Sequence, residues 1–426
     1  MTIQTSTAYS VYYYDVYKVG HGMAGLITDD GGSSSSTVLT YPDLQTDLNG
    51  NPIVQAFADG GGNLRVAVTD NIDTGARPIS IYDALGDSVA TVSGGWSNVY
   101  NLYGIARVGS YIYAIDYDNG RVVEINPSTY AQTGAVFTAP TYTSGSTTYY
   151  PHAQALLVIG GVLYGLFTYA NSSFTSYANS KLVKFSITPG SSITAAATNF
   201  SVAPNAFSLA NNGSTLYVAA IGGYQSAGSY NAASRLQSLP SDLSSVTDVL
   251  SPSSTFPWEI RDISFNGSTA YLLVGAYNSS YNLVGKLFSA PVSSLGTPST
   301  FTVIDDFTAG TQPGYYWAAQ YTADNNRIWY ARGNEIVLYA ASSSPSAVTT
   351  LTVSSGSLIN SGESYTNISD FSYIGADGFS IAVRGYRSPI HASNTPRMAR
   401  ARALTGGRPF LTDGEAAQLD QEFAEA

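Results

Sequence analysis

Few residues in this chain could do chemistry, and none stands at a spacing that defines a reaction. The 426-residue sequence has three histidines, His21, His152 and His391, far apart in sequence. No His-x-x-x-His pair is available to hold zinc. His152 follows Tyr149-Tyr150-Pro151 and is the best single acid–base candidate. Glu259, Arg261 and Asp262 crowd into Pro257-Trp258-Glu259-Ile260-Arg261-Asp262, in a chain with only 11% charged residues. A charge buried there has to be paired, so an Arg–carboxylate bridge between structural units competes with ligand contact. Glycoside hydrolysis needs two carboxylates across a cleft; Glu259, Asp262, Asp305, Asp306 and Asp370 are the carboxylates that could supply them. No Gly-x-Ser-x-Gly elbow or phosphate-binding loop is present. Cysteine is absent, which excludes disulfides, thiolate metal sites and cysteine nucleophiles. The acidic stretches 43–50 and 116–120 have the flavour of calcium loops without the spaced oxygens and terminal Glu of an EF-hand. The second reads more simply as an Asn119-Gly120 hairpin turn. No catalytic residue and no resident cofactor follow, with calcium the one ion to test.

These residues are positioned by a repeat. An alternating apolar segment, a Gly/Asn/Ser turn and a second alternating segment recur seven times. The turn and second segment read Gly109-Ser110-Tyr111-Ile112-Tyr113-Ala114, Gly160-Gly161-Val162-Leu163-Tyr164-Gly165, Gly213-Ser214-Thr215-Leu216-Tyr217-Val218 and Gly267-Ser268-Thr269-Ala270-Tyr271-Leu272. Their fifth column is Arg65, Tyr113, Tyr164, Tyr217, Tyr271, Trp329 and Ser380, at spacings of 48 to 58 residues. A third segment opens on a basic residue at Arg121, Lys181, Arg235 and Lys286, a cation that snorkels from a strand start. A fourth, weaker segment follows, as at 132–138. Period-two alternation marks half-buried strands, and four strands in about fifty residues is the size of a propeller blade.

The expected fold is all-β: a seven-bladed β-propeller over residues 1–396 and a tail over 397–426 with a short C-terminal helix. Blade repeats fall near 53–100, 101–150, 151–203, 204–256, 257–314, 315–366 and 367–390. The last is short of strands, so N-terminal strands within 9–41 are expected to complete it and close the ring. Thr412 could cap the tail helix, with Ala416, Leu419 and Phe423 at helical spacing. This strand–turn–aromatic grammar resembles the seven-bladed propeller superfamily, in particular NHL-like surface propellers. The resemblance implies the fold alone and transfers no active site.

In a propeller, loops between second and third strands share a face with the starts of the inner strands. The loops of blades three, four and five are long and alike in style. Tyr169, Tyr177 and Asn179 belong to the first, Tyr224, Tyr230 and Asn231 to the second, Tyr277, Tyr281 and Asn282 to the third. Tyr gives rigid contact area and Asn adaptable hydrogen bonds, a pairing suited to sugar rings or protein. Inner-strand starts add His152, Trp258, Glu259, Arg261 and Trp317 to the candidate binding residues. The bland alternative is hairpin extensions whose tyrosines pack on one another. With 33 Tyr, 41 Gly and a net charge of −11, the surface is solvated by hydroxyls and amides. No basic stripe exists to meet nucleic acid, and the short cluster Arg397, Arg400, Arg402 reads as solvated tail. Residues 1–15 lack a basic-then-apolar leader, and no apolar run reaches the length of a bilayer span. The expected function is a non-catalytic extracellular or cell-surface binding propeller for a glycan or protein. The alternatives are a self-associating surface subunit and a carbohydrate-active hydrolase or lyase.

Overall fold

The computed structural model describes residues 5–15, 18–29, 36–40, 48–49, 51–71, 76–83, 87–223, 228–279, 283–308, 316–322, 326–332, 335–342, 344–352, 365–374 and 380–381. The chain is an all-β propeller. Its first strands are β1 (Thr5–Asp15), β2 (Lys18–Asp29), β3 (Ser36–Thr40) and β4 (Leu48–Asn49). Six blades follow. The first is β5 (Asn51–Ala58), β6 (Leu64–Asn71), β7 (Ile79–Asp83) and β8 (Ser88–Val92). The second is β9 (Leu102–Val108), β10 (Tyr111–Asp116), β11 (Arg121–Ile125) and β12 (Gln132–Thr138). The third has five strands: β13 (Tyr142–Ser144), β14 (Thr147–Ile159), β15 (Val162–Ala170), β16 (Tyr177–Thr188) and β17 (Ser192–Pro204). The fourth is β18 (Ala206–Asn212), β19 (Thr215–Ala220), β20 (Arg235–Pro240) and β21 (Thr247–Leu250). The fifth is β22 (Glu259–Asn266), β23 (Thr269–Tyr277), β24 (Leu283–Pro291) and β25 (Thr302–Asp306). The sixth is β26 (Tyr316–Thr322), β27 (Arg327–Arg332), β28 (Glu335–Ala340) and β29 (Ser346–Thr352). A further sheet joins β3, β2 and β1 to β30 (Tyr365–Ile374) and β31 (Ser380–Ile381), with β1 antiparallel to β30. The tail with its expected helix, and His391, lie outside the described residues.

Local chemistry sets the hairpins. Gly213-Ser214 sits between the paired residues Asn212 and Thr215, and Gly213 has φ +58° with no Cβ to oppose it. Glycine first in a two-residue loop is the type II′ turn, whose twist matches the strands it joins. Gly267-Ser268 repeats the arrangement in the next blade.

The core lies between blades. The aromatic column is buried throughout its described middle: Tyr113, Tyr164, Tyr217, Tyr271 and Trp329. Tyr113, Ile115 and Val122 of blade two pack with Leu163, Phe167 and Val183 of blade three. Tyr217 and Ala219 of blade four pack likewise with Ile260, Ile263 and Leu272 of blade five. Truncating one such ring to Ala costs about 3–5 kcal/mol. The third-strand cations reach across to the fourth strand of their own blade, as in Lys286–Asp306 at 2.9 Å and Arg235–Asp248 at 3.2 Å. They are structural.

Four strands per blade return the chain to the same face before each new inner strand. Inner strands therefore all start beside the second-to-third-strand loops. Each packs on the next, β5 on β9, β9 on β14, β14 on β18, β18 on β22 and β22 on β26. Inner strands of blades two to six also carry a register shift near their starts. The extra residue is Tyr103 in β9, Gln154 in β14 and Arg261 in β22. A bulge re-aims its side chain, and all three are buried.

Candidate functional site

One column organises the loop face. Asn101, His152, Asn205 and Glu259 stand twelve residues before Tyr113, Tyr164, Tyr217 and Tyr271. All four are buried at the start of an inner strand. Two clamp the loop of their own blade. The Asn101 side-chain amide donates to Asp118 Oδ1 at 3.3 Å, and the Asn101 backbone carbonyl accepts from the Tyr117 N–H at 2.9 Å. The Asn205 amide donates to the Gly223 carbonyl at 2.8 Å, and its own carbonyl accepts from the Ile221 N–H at 3.0 Å. The other two grip the loop of the preceding blade.

His152 grips by packing. Its ring lies 4.7 Å from that of Tyr117 and 4.9 Å from that of Phe174, and Tyr117 lies 4.6 Å from Tyr103. Four rings thus run from β9 to the loop between β15 and β16. Burial lowers the His152 pKa to about 4, against a weaker raising effect of its hydrogen bond to the Tyr117 backbone. Burial thus favours the neutral imidazole, which is enclosed between the rings of Tyr117 and Phe174. The same loop is tied down by Asp116, whose Oδ1 accepts from the Tyr100 and Asn101 N–H groups at 3.1 and 2.9 Å. Burial pushes the Asp116 carboxyl up, opposed by those bonds and by Asn119. Stretch 116–120 is therefore a self-bonded hairpin turn. Among the described residues, no group of three or more His, Asp or Glu side chains is gathered as for a metal ion. Stretch 43–50 lies almost wholly outside the described residues.

Glu259 grips by charge. Its Oε1 accepts from the Asn231 N–H at 2.9 Å, and its Oε2 from Arg261 Nη2 at 3.3 Å. The Arg261 guanidinium also lies 5.6 Å above the Tyr277 ring. Asp262 Oδ1 accepts from Ser208 Oγ at 2.6 Å and from the Ile263 N–H at 2.9 Å. Glu259 and Asp262 are thus spent on bonds between blades rather than set across a cleft. Asp305 and Asp306 are likewise engaged, by Tyr339 and by Lys286 with Thr308. The Thr308 hydroxyl is the main reason Asp306 sits at about 2.

The tyrosines divide sharply. Tyr169 and Tyr277 point into the core, Tyr169 donating to the Pro140 carbonyl at 3.1 Å. They are not surface contact residues, because β15 and β23 are buried from their second residue to their last. Tyr177, Tyr230, Asn231 and Trp258 are partly exposed, and Asn179 is exposed. Tyr224, Tyr281 and Asn282 lie outside the described residues, and nothing is described of the Trp317 side chain. The loops of blades four and five meet directly: the Gly228 N–H donates to the Tyr277 carbonyl at 2.8 Å.

Sequence reading missed two things here. One is the twelve-residue offset of Asn101 and Asn205, visible once the aromatic column is aligned. The other is the residue before the basic column. Ser234 Oγ donates to the Ala220 carbonyl at 2.7 Å and accepts from the Ile260 N–H at 3.0 Å, joining blade four to blade five. Ser180 Oγ accepts the Ala206 N–H of the next blade in the same way. In blade two this position is Gly120, where a Cβ would lie 2.8 Å from Pro151.

No protein family and no curated protein matches the chain in sequence. Solved structures match in shape. A candidate 6-phosphogluconolactonase from Bacteroides fragilis superposes with a TM-score of 0.53 at 13% identity, covering 82% of this chain and 95% of that one. A protein from Lactobacillus plantarum gives a TM-score of 0.52 at 14% identity, covering 82% and 97%. At such identity the likeness is one of fold. Among the described residues no helix is long and apolar enough to cross a membrane.

Proposed function

We propose that this protein is a non-catalytic binding propeller of an extracellular or cell-surface setting, recognising a glycan or protein through the loops of blades three to five. The observation that carries this reading is the locking of the long blade-four loop onto blade five. Its Gly228 N–H bonds the Tyr277 carbonyl, and its Asn231 N–H bonds Glu259. Loops fixed to one another hold a surface in one shape, so little ordering entropy is lost on binding. Tyr230 belongs to that loop, and Tyr177 and Asn179 of blade three are read as further contacts of the same site. The lactonase likeness favours no reaction here, because His152 and Glu259, the candidate acid and base, are both enclosed between blades.

Seven-fold closure belongs to the same proposal. The sheet of β1, β2, β3 and β30 is read as a seventh blade, completed by the N-terminal strands. Support comes from the pairing of β1 with β30 and from the packing of β30 against β26 and β5. Joining the chain ends this way would stiffen the ring that carries the loops.

The test is a glycan and protein-ligand array probed with the intact chain and with the triple variant Tyr177→Ala, Tyr230→Ala, Tyr281→Ala. Binding is expected to fall while the melting temperature stays within a few degrees. Binding that survives removes these residues from the site. A polysaccharide hydrolysed by the intact chain but not by Glu259→Gln would replace the binding reading with a catalytic one.

A further inference from the structure

Blade three carries a strand more than its described neighbours, and that strand lies on the loop face. β13 folds back on the first residues of β14, pairing Tyr142 with Tyr149, Thr143 with Thr148 and Ser144 with Thr147. From Tyr150 onward β14 pairs with β15 instead. The hairpin 142–149 is therefore a two-stranded ribbon standing ahead of the inner strand. All three residues of β13 are exposed. Alternation puts Tyr142 and Tyr149 on one side of the ribbon, and Thr143, Thr148 and Tyr150 on the other.

The rings are presented rather than packed. Tyr142 is 50% exposed and Tyr150 43% exposed, two of the four large apolar side chains exposed among the described residues. Tyr142 lies over Tyr149, with ring centroids 6.0 Å apart and planes 28° from parallel. Tyr149 is the anchor: it packs on the core between blades two and three, and its hydroxyl meets Ser176 Oγ at 3.1 Å. Tyr142 is thus held in place from beneath with its outer side open.

A second observation fixes the chemistry of the ligand. Residues 125–180 contain no Asp, Glu, Lys or Arg, although the chain as a whole has a net charge of −11. The ribbon, β14, β15 and the adjoining loop 171–176 offer rings, hydroxyls and amides with no formal charge; the blade's first cations, Lys181 and Lys184, lie in β16. A charged ligand lying on the ribbon would lose hydration and meet no counter-charge on the ribbon itself. A ribbon this short also falls well below the ~800 Å² per partner of a stable protein interface. Flat sugar rings fit both conditions: their C–H faces lie on aromatic rings, and their hydroxyls exchange hydrogen bonds with threonine and serine.

We propose that the ribbon 142–150 is a binding platform for a neutral polysaccharide, with Tyr142, backed by Tyr149, as the stacking ring on one side and Tyr150 as the ring on the other. The inference rests on the glycan reading above and moves its main contacts away from the buried Tyr169 and Tyr277.

Affinity electrophoresis of the full chain tests it, using native gels cast with a soluble β-glucan, a galactomannan, a xylan or anionic alginate. Retardation is expected with at least one neutral polymer and not with alginate. Tyr142→Ala and Tyr150→Ala should each weaken it by about fivefold or more, the threshold of an energetically important contact. The double variant should abolish it, while Tyr142→Phe and Tyr150→Phe, which keep the rings, should retain it. Melting curves of all variants should coincide within a few degrees; if an Ala variant unfolds, the Phe variants and Thr143→Lys, which brings charge to the ribbon, carry the test. Retardation that survives the double variant overturns the ribbon and leaves glycan recognition elsewhere on the face. Retardation by alginate alone overturns the neutral ligand. No retardation by any polymer overturns the ribbon together with the glycan reading.

Discussion

The loops of blades two and four fill equivalent slots and are clamped from equivalent positions, yet the two clamps differ in kind. In both, an Asn at the start of the blade's own inner strand holds one side. The next blade holds the other side, through the His152 ring at blade two and through Glu259 with Arg261 at blade four. The blade-two loop is a turn of a few residues, covered by a stack of rings and by the hydrogen bond of His152 to the Tyr117 backbone. The blade-four loop between Ile221 and Ser234 is longer, and the N–H of its Asn231 is met by the buried Glu259. Charge at blade five thus serves a loop backbone group at blade four. That reading explains Glu259 and Arg261 without a ligand.

Breaking the ionic clamp should have the largest effect. Replacing Arg261 by Met leaves Glu259 buried without its cation and should cost about 3–5 kcal/mol in urea unfolding. Replacing Glu259 by Leu and Arg261 by Met together should recover a large part of that loss. If both single variants are neutral, the pair is not the clamp.

The aromatic clamp should yield to truncation and tolerate a ring. His152→Ala should cost about 3 kcal/mol, whereas His152→Phe, which keeps the stack and removes a buried nitrogen, should cost less than about 1 kcal/mol. The pair also separates by pH. The unfolded histidine takes up a proton near 6.5, and the folded one only near 4. Its contribution to stability is complete above about pH 6.5 and drains away as pH falls to about 4. The intact chain should therefore lose stability relative to His152→Phe across that window, by about 3 kcal/mol in all. Parallel pH profiles would show instead that the imidazole is open to water.

The residue before the basic column sharpens the comparison. Gly120→Ser should cost about 2 kcal/mol, since its Cβ would meet Pro151 in a backbone conformation, φ +58°, that disfavours side chains. Ser234→Ala should cost about 1–2 kcal/mol by stranding the Ile260 N–H. The smallest effect is expected at Tyr230→Ala, within about 0.5 kcal/mol, because that ring is not part of either clamp. A larger loss would mean the blade-four loop is held by its own tyrosine.

Strand pattern, turn chemistry and the spacing of the aromatic column were legible in the residues, because period-two alternation and Gly-Ser turns are local facts. So was the pairing of buried charge around Arg261, which follows from its cost when unpaired. Two sets of candidate residues were not. Tyr169 and Tyr277 have the composition of a recognition loop but stand at the ends of strands buried on both faces, which period-two alternation does not reveal. The ribbon at 142–149 was read only through Tyr149 and Tyr150, because a three-residue strand leaves too short an alternation to notice.

Sequence by itself determined an all-β repeat with buried aromatics at blade spacing, since these depend on neighbours within a few residues. Which polar side chains face a ligand and which face another blade was decided only by the tertiary structure. Inner-strand bulges re-aim Tyr103, Gln154 and Arg261, and loops from adjacent blades compete for the same polar groups. Neither event leaves a trace in local pattern, because each depends on a pairing across strands or blades, as where Asn231 meets Glu259 28 residues away.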